Sequence, residues 1–258
     1  MRIVRFTLFT LYISAFTFQA QALNQNESNF KLLNQRFLSF FKKMAPNDVK
    51  ITIYDNWDIN YPAASTDRST DFEITMHRSP VEWNVSILSG YFQNELGGHD
   101  AHILTLCHEM AHHLGGKPYK TDEQGKIRWA SMEAQSDYWA TKVCIPAFLK
   151  EYPVYLILRK VIHPEIKRRC GRKFNRYFRP YKICLFSAQA AYQMAKIHQK
   201  FKLPSEPDEP PVNPETPDPN YVNELDRNNY PGNQCRFDTS FAGALEEPRP
   251  RCWYPAEL

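Results

Sequence analysis

The stretch from Gly97 to Pro118, GGHDAHILTLCHEMAHHLGGKP, decides the fold. Its apolar residues recur at helical spacing and predict a helix: Ala101, Ile103, Leu104, Cys107, Met110, Ala111 and Leu114. Asp100 is the predicted N-cap, and Gly115-Gly116 followed by Pro118 predicts the C-terminal end. On this helix His108 and His112 lie one turn apart on one face, where both imidazoles can reach a single metal ion.

A second segment supplies the carboxylate that such a site needs, because a catalytic zinc ion takes three protein ligands and leaves one position open. The pattern HExxHxxGxxH would supply a third histidine, but this chain has Pro at position 118. The segment Glu133-Ala-Gln-Ser-Asp137 offers acids instead, with Ser131 as the predicted N-cap of their helix. Glu133 is then the predicted third ligand, and Asp137, one turn further, can accept the N–H of a ligating histidine.

Ordinary structural roles stay open for these side chains. The two histidines can be core residues with satisfied hydrogen bonds, and the two acids can lie on a solvated helix face. Asp122 and Glu123, in a polar loop that contains a glycine, are alternative acidic ligands. We favour the metal site because a helix bearing two histidines and a following carboxylate occur together.

Glu109 lies next to the two histidines and is the candidate general base. From that position a carboxylate can hold a water against a metal ion and take its proton. His113 is the extra histidine, but it points about 100° away from His112 around the helix. We therefore predict that His113 is a neighbour of the site and not a ligand.

The two segments together resemble the gluzincin metallopeptidases of the HtpX and CAAX-prenyl-protease type, and most of all their small soluble members. The resemblance covers roughly residues 45–145 and 228–254. It implies a helix-rich α+β fold: a zincin-like metallopeptidase domain with a small sheet upstream of the HExxH helix. It also implies one Zn²⁺ per chain and a protein or peptide substrate.

The same families carry a later His-Pro-x-x-x-x-Arg element, and here Tyr230-Pro231-Gly-Asn-Gln-Cys-Arg236 has that shape. Tyr230 stands where the histidine would help to stabilise an oxyanion, and a tyrosine hydroxyl can donate to an oxyanion too. Arg236 either shares that role or pairs with Asp137. The resemblance therefore implies that both Tyr230 and Arg236 belong to the catalytic site.

The first 22 residues have the pattern of an export signal. Arg2 and Arg5 precede a largely apolar run over 6–18, which is too short to span a membrane, and Ala20-Gln21-Ala22 fits a signal-peptidase site. The chain beyond them contains no long apolar segment. We expect an exported protein, periplasmic or secreted, without a transmembrane segment in its mature form.

Six cysteines follow the signal, and an even number in an oxidising compartment predicts three disulfides. Six cysteines allow 15 pairings. We favour Cys170–Cys184 and Cys235–Cys252 because they are local, which leaves Cys107–Cys144. Along a helix, Cys144 lies about 16 Å beyond Glu133, so the last pair requires the two helices to cross there as well. A zinc site built from cysteines is the rival use, but no CxxC spacing occurs.

The charge distribution indicates which classes of binding partner suit the chain. The formal net charge of +4 is small, which disfavours nucleic acid as a partner. Residues 159–182 nevertheless hold ten Lys or Arg against one Glu. This segment is either a solvated surface or a surface for an anionic envelope partner, such as lipid headgroups or cell-wall polymer.

The remaining pattern predicts the organisation of the chain. A helix is expected over 28–44, strands over 50–54 and over 72–76 or 83–88, a polar loop over 56–71, and helices over 154–161 and 186–201. In the gluzincin architecture, the strand just upstream of the motif helix forms the sheet edge to which an extended substrate adds. Residues 72–76 or residues 83–88 could be this strand. The alternative is that they form a plain sheet strand with no role in binding. The metallopeptidase domain is thus 23–203.

Residues 204–220 form a Pro- and acid-rich strap or linker, and 221–258 a C-terminal tail that contains two cysteines. We favour the strap, because the resemblance places Tyr230 and Arg236 at the active site. The tail is then expected to pack on the catalytic domain.

The sequence as a whole predicts an exported zinc metalloendopeptidase. Two alternatives remain: a non-catalytic envelope binding protein on a zincin scaffold, and a cell-wall-cleaving metallohydrolase. Glu109 argues against the first, because a purely structural metal site has no use for a general base.

Overall fold

The computed structural model describes residues 24–68, 81–156, 161–202, 208–228 and 230–256. The fold is α+β and rich in helix. Its helices are α1 (Glu27–Met44), α2 (Gly90–Gln93), α3 (His99–Leu114), α4 (Glu133–Trp139), α5 (Ile145–Glu151), α6 (Pro164–Lys173), α7 (Arg179–Phe201) and α8 (Asn233–Ala244). Its strands are β1 (Val49–Asn56), β2 (Ala64–Arg68), β3 (Val81–Leu88), β4 (Tyr119–Thr121) and β5 (Ile127–Ser131).

Helix α1 forms where the sequence predicts it. Asn26 caps its first turn by accepting a hydrogen bond from the backbone N–H of Asn29. Its buried side chains recur every three or four residues and face the core: Phe30, Leu33, Phe37, Phe40 and Phe41. The predicted helix over 186–201 also forms, as the larger part of α7.

The main sheet has the order β1-β3-β2, with β1 parallel and β2 antiparallel to β3. The predicted strand over 50–54 lies in β1, and the segment over 83–88 lies in β3. The prediction of a loop over 56–71 is wrong, because it contains β2. That strand reads Ala-Ser-Thr-Asp-Arg without apolar alternation, so it is defined by its pairing with β3 and not by its own composition.

The strand order decides between the two alternatives for residues 83–88, which form a plain sheet strand. Strand β3 is central within this sheet, so it cannot be the edge that receives another strand. Among the described residues, β2 is the strand at the edge near α3. The other candidate edge, residues 72–76, lies outside the described residues, as does the signal segment 1–22.

Helix α3 is buried on all sides from His99 to His113. Its N-cap is Gly98 and not the predicted Asp100, because the backbone there has φ of 85°, a conformation that glycine adopts without strain. The helix ends at Gly115 as predicted. The β4–β5 hairpin follows and delivers the chain to α4, whose N-cap is Met132; Ser131 instead donates its hydroxyl to the carbonyl of Gly116.

Three disulfides form, and they are the three pairs favoured from the sequence: Cys107–Cys144, Cys170–Cys184 and Cys235–Cys252. A π-helical turn, Ala140–Cys144, continues α4 and brings the Cα of Cys144 to 5.6 Å from that of Cys107. Disulfides persist in oxidising compartments. Among the described residues, no helix has both the length and the apolar character to cross a membrane.

The region after α5 departs from the predicted helix over 154–161. Only a single 3₁₀ turn forms, Pro153–Tyr155, and residues 161–163 are irregular; residues 157–160 lie outside the described part. Pro164 begins α6, because proline suits the first helical position, where its missing N–H is not needed.

The C-terminal tail packs on the helical core through α8, which contacts α4 and α7. A Cβ on Gly243 would lie 2.3 Å from the hydroxyl oxygen of Thr141, so the helices approach closely there. The strap, which precedes α8, contacts α7 and α8. Gln199 of α7 donates to the carbonyl of Pro210, and Glu209 accepts from the backbone N–H of Asn233 at the start of α8. Val212 of the strap is buried.

The burial of His102 makes stability depend on pH. This α3 side chain is fully buried, and its Nε2 lies 2.7 Å from Oδ1 of Asn34. Asn34 donates its amide to Asp55, so Oδ1 accepts and Nε2 of the neutral ring donates. Burial lowers the pKa of His102 to about 3. Since an unfolded histidine titrates near pH 6.5, protonation favours unfolding.

We therefore expect the stabilising contribution of neutral His102 to be complete above pH 6.5 and to be lost as the pH falls towards 3. The expected loss between pH 6.5 and pH 4 is roughly 3 kcal/mol. Urea unfolding of the wild type and of His102→Gln at both pH values measures it. The variant should lose correspondingly less stability over this interval, and equal losses in the two proteins would contradict the prediction.

Candidate metal centre

His108, His112 and Glu133 come together in the structure. Nε2 of His108 lies 3.1 Å from Oε2 of Glu133, and Nε2 of His112 lies 3.6 Å from Oε1. The three ligand atoms lie within 4.8 Å of one another, and all three residues are buried. Ligands about 2.1 Å from a tetrahedral zinc ion lie roughly 3.4 Å apart, so these separations fit a single ion.

Hydrogen bonds to the opposite ring nitrogens orient both imidazoles. Nδ1 of His108 lies 2.7 Å from Oδ1 of Asp137, and Nδ1 of His112 lies 2.8 Å from the carbonyl of Ser131. Because both partners are acceptors, each Nδ1 carries a proton, and each Nε2 is the ring nitrogen that remains to bind a metal ion. This donor set of two imidazoles and one carboxylate is the kind that zinc prefers.

Arg236 completes a chain of charges behind His108. Its guanidinium donates two hydrogen bonds to Asp137, from Nε at 2.8 Å and from Nη2 at 3.0 Å. Burial raises the pKa of Asp137, but the charges of Arg236 and His108 outweigh it and hold that pKa below its usual range. Of the two roles considered for Arg236, the structure therefore contains the pair with Asp137.

Glu109 lines the same cavity as the three candidate ligands, a space of about 360 Å³. Its side chain is buried, and burial raises its pKa to about 7. A carboxylate with a pKa near neutrality can both accept and return a proton at physiological pH.

Tyr230 lies at the exposed side of this cavity, with 61% of its surface accessible. Its ring is 5.6 Å from the ammonium of Lys120 and 5.8 Å from the guanidinium of Arg236. Partial burial and the negative charge of Glu133 raise the pKa of its hydroxyl above the usual value. Tyr230 thus keeps its proton and can act as a hydrogen-bond donor at the cavity.

Lys120, Tyr91 and His198 are among the polar cavity residues that sequence reasoning missed. Lys120 of β4 places its ammonium 2.5 Å from Oε1 of Glu133. Tyr91 of α2 and His198 of α7 are joined by a 2.9 Å hydrogen bond between the hydroxyl and Nε2, and both line the cavity. A lone lysine in a hairpin carries no local signal, and Tyr91 and His198 meet only through the packing of distant helices.

Other sequence candidates have structural roles or lie elsewhere. His113 is stacked between Trp83 and Trp129, with ring centroids 4.4 and 4.7 Å away, and its Nε2 lies 2.7 Å from the hydroxyl of Thr66. Asp122 accepts backbone N–H bonds within the β4–β5 turn, and Glu123 is exposed there. Neither acid is in the cluster of His108, His112 and Glu133.

Two strands contribute to the lining of the cavity. Residues 64–66 of β2 and residues 128–130 of β5 line it. Among the described residues, each of these strands has one neighbour, so each leaves one edge unpaired. An unpaired edge offers backbone N–H and C=O groups to another extended chain.

Comparison with family models, with curated proteins and with solved structures gives no match. A function therefore has to be inferred from the geometry of the site.

Proposed function

We propose that this protein is an exported zinc-dependent metalloendopeptidase with a zincin-like fold. The observation that carries the proposal is the convergence of His108, His112 and Glu133, with Glu109 beside them in one cavity. Two oriented imidazoles and a carboxylate suit zinc, and a neighbouring free carboxylate suits hydrolysis. The resemblance to gluzincin metallopeptidases points the same way.

Each residue has a defined role in this proposal. His108, His112 and Glu133 hold the metal, which when bound would polarise the scissile carbonyl and acidify the attacking water. Glu109 takes the proton from that water and passes it to the leaving amine. Asp137 fixes the tautomer and orientation of His108, and Arg236 holds Asp137 in place. Tyr230 donates a hydrogen bond to the developing oxyanion.

The substrate is proposed to be an extended peptide that pairs with β2 or β5. Both strands line the cavity and have an unpaired edge among the described residues, and such an edge can supply main-chain hydrogen bonds to a peptide. Main-chain pairing selects for an unfolded or flexible segment and not for a particular side chain. This arrangement favours a peptide over a cell-wall glycan, because a glycan has no backbone N–H and C=O groups that could pair with a strand.

Export is part of the proposal. Three disulfides suit a compartment outside the reducing cytoplasm, and residues 1–22 carry the pattern of a cleavable signal. The alternative function, a non-catalytic binding protein, does not explain why the buried carboxylate of Glu109 lies beside the candidate ligands.

Metal analysis of the purified mature chain tests the proposal, with wild type beside Glu133→Ala. We expect one zinc per chain in the wild type and binding weakened more than about a hundredfold in the variant, because a ligand is lost. Glu123→Ala is the matched control, since that exposed glutamate should leave zinc unchanged. Hydrolysis of an unfolded protein should stop with a chelator and return with zinc.

Three results would contradict parts of this scheme. Zinc retained by Glu133→Ala would mean a different third ligand. No metal in the wild type would favour the non-catalytic binding protein. Cleavage of cell-wall polymer without cleavage of peptides would favour the cell-wall-cleaving metallohydrolase.

A further inference from the structure

The turn between α6 and α7 exposes two neighbouring aromatic side chains. Tyr177 and Phe178 have 92% and 62% of their surfaces accessible. Phe174 and Tyr181, on either side of them, are partly buried and pack against the core. Phe174 and Tyr181 thus anchor the turn, and Tyr177 and Phe178 project from it. We call residues 172–182 the α6–α7 tip.

The tip is held in place by covalent and hydrogen bonds. The Cys170–Cys184 disulfide joins the two helices just behind it. At the turn, the side chain of Asn175 accepts from the backbone N–H of Tyr177 at 3.1 Å, and the carbonyl of Asn175 accepts from the backbone N–H of Phe178 at 3.1 Å. A surface that is already ordered loses little conformational entropy when it binds.

Five cations flank the exposed aromatic pair in the sequence, and all five are exposed: Arg172, Lys173, Arg176, Arg179 and Lys182. Among the described residues, none of the five forms an ion pair with a carboxylate. The neighbouring Arg168 and Arg169 differ, because they pair with Glu165 and Glu247. The tip therefore carries a positive charge that the protein does not neutralise itself.

We propose that the α6–α7 tip docks the protein on an anionic lipid bilayer, with Tyr177 and Phe178 inserted at the level of the headgroups. Aromatic side chains prefer this interface, and surrounding lysines and arginines are attracted to anionic headgroups. A sugar polymer would be expected to bind in a groove of polar groups. A ring that is 92% exposed at a turn lies in no groove, so a bilayer suits it better.

Docking at the tip does not depend on the metal centre. No residue of the tip lines the metal cavity. Glu133→Ala, which removes a proposed metal ligand, should therefore bind vesicles like the wild type. Failure of the docking proposal and failure of the peptidase proposal are in this way distinguishable.

Sedimentation of the mature chain with lipid vesicles tests the docking. We expect binding to vesicles rich in phosphatidylglycerol, weakening as salt is raised, and little binding to pure phosphatidylcholine. Tyr177→Ser with Phe178→Ser should lower the partition coefficient at least about tenfold. Lys173→Gln with Arg176→Gln should lower it about thirtyfold.

Control variants remove exposed aromatic rings and exposed cations elsewhere in the chain. Tyr54→Ser with Tyr221→Ser removes two exposed tyrosines, and Lys42→Gln with Lys126→Gln removes two exposed cations. Both control pairs should bind like the wild type. Equal binding to neutral and anionic vesicles, or equal losses in tip and control variants, would overturn the proposal. Binding to anionic cell-wall polymer but not to vesicles would overturn it in favour of that polymer.

Discussion

Glu109→Gln is expected to remove nearly all peptide hydrolysis while the protein stays folded and keeps its zinc. Glutamine has the size of glutamate but cannot accept the proton of the attacking water. Loss of a general base lowers turnover by about 10²- to 10⁴-fold. Because Glu109 is buried, the change also removes a carboxylate whose charge is costly to bury, so thermal stability should not fall.

The measurement is kcat on an unfolded protein or peptide substrate, taken together with zinc content and melting temperature. Glu123→Gln is the control, because it makes the same change at an exposed glutamate of the β4–β5 turn. A fall in kcat with unchanged zinc and unchanged melting temperature isolates the proton transfer. Full activity in Glu109→Gln would assign the general base to another residue.

Asp137→Ala is expected to destabilise the protein by about 3–5 kcal/mol, because it leaves the guanidinium of Arg236 buried without its partner. It also removes the acceptor that orients His108, so zinc binding should weaken about 10- to 100-fold. Urea unfolding measures the first effect and competition with a zinc chelator measures the second. Glu82→Ala is the control: it breaks an exposed ion pair with Lys50, where at most about 1 kcal/mol is expected.

The double variant Asp137→Ala with Arg236→Ala separates the two partners. Removing both charges leaves neither one stranded, so its loss of stability should be smaller than the sum of the two single losses. Zinc affinity should stay as low as in Asp137→Ala, because His108 still lacks its acceptor. Additive losses would mean that the two side chains are not coupled, and unchanged zinc affinity in Asp137→Ala would limit that residue to a structural role.

Local patterns account for the parts of the fold that the sequence predicts. Helices α1, α3 and α7 carry apolar side chains at helical spacing, and Gly115 marks the end of α3. Strand β1 has the alternation that a half-buried strand requires. The sequence spacing of cysteines also favours the three disulfide pairs that form. Each of these patterns depends on residues that lie close together in the sequence.

The errors occur where neighbouring residues carry no such signal. Strand β2 is polar, and only its hydrogen bonds to β3 make it a strand. The N-cap of α3 is Gly98 because the backbone needs a positive φ there, a requirement set by how the preceding segment enters the helix. The helix predicted over 154–161 has suitable side chains, yet the described residues on either side of 157–160 make one 3₁₀ turn before α6 begins at Pro164.

For the candidate metal centre, the sequence by itself named His108, His112 and Glu133 as candidate ligands. Helical periodicity places His108 and His112 on one helix face, and Glu133 and Asp137 on one face of another helix. Only the tertiary structure decided that Arg236 pairs with Asp137, that Lys120 contacts Glu133, and that β2 and β5 both line the cavity. The physical reason is the separation along the chain of the residues that interact. Periodicity acts over a few residues, whereas these contacts join residues distant in the chain through the packing of helices and strands.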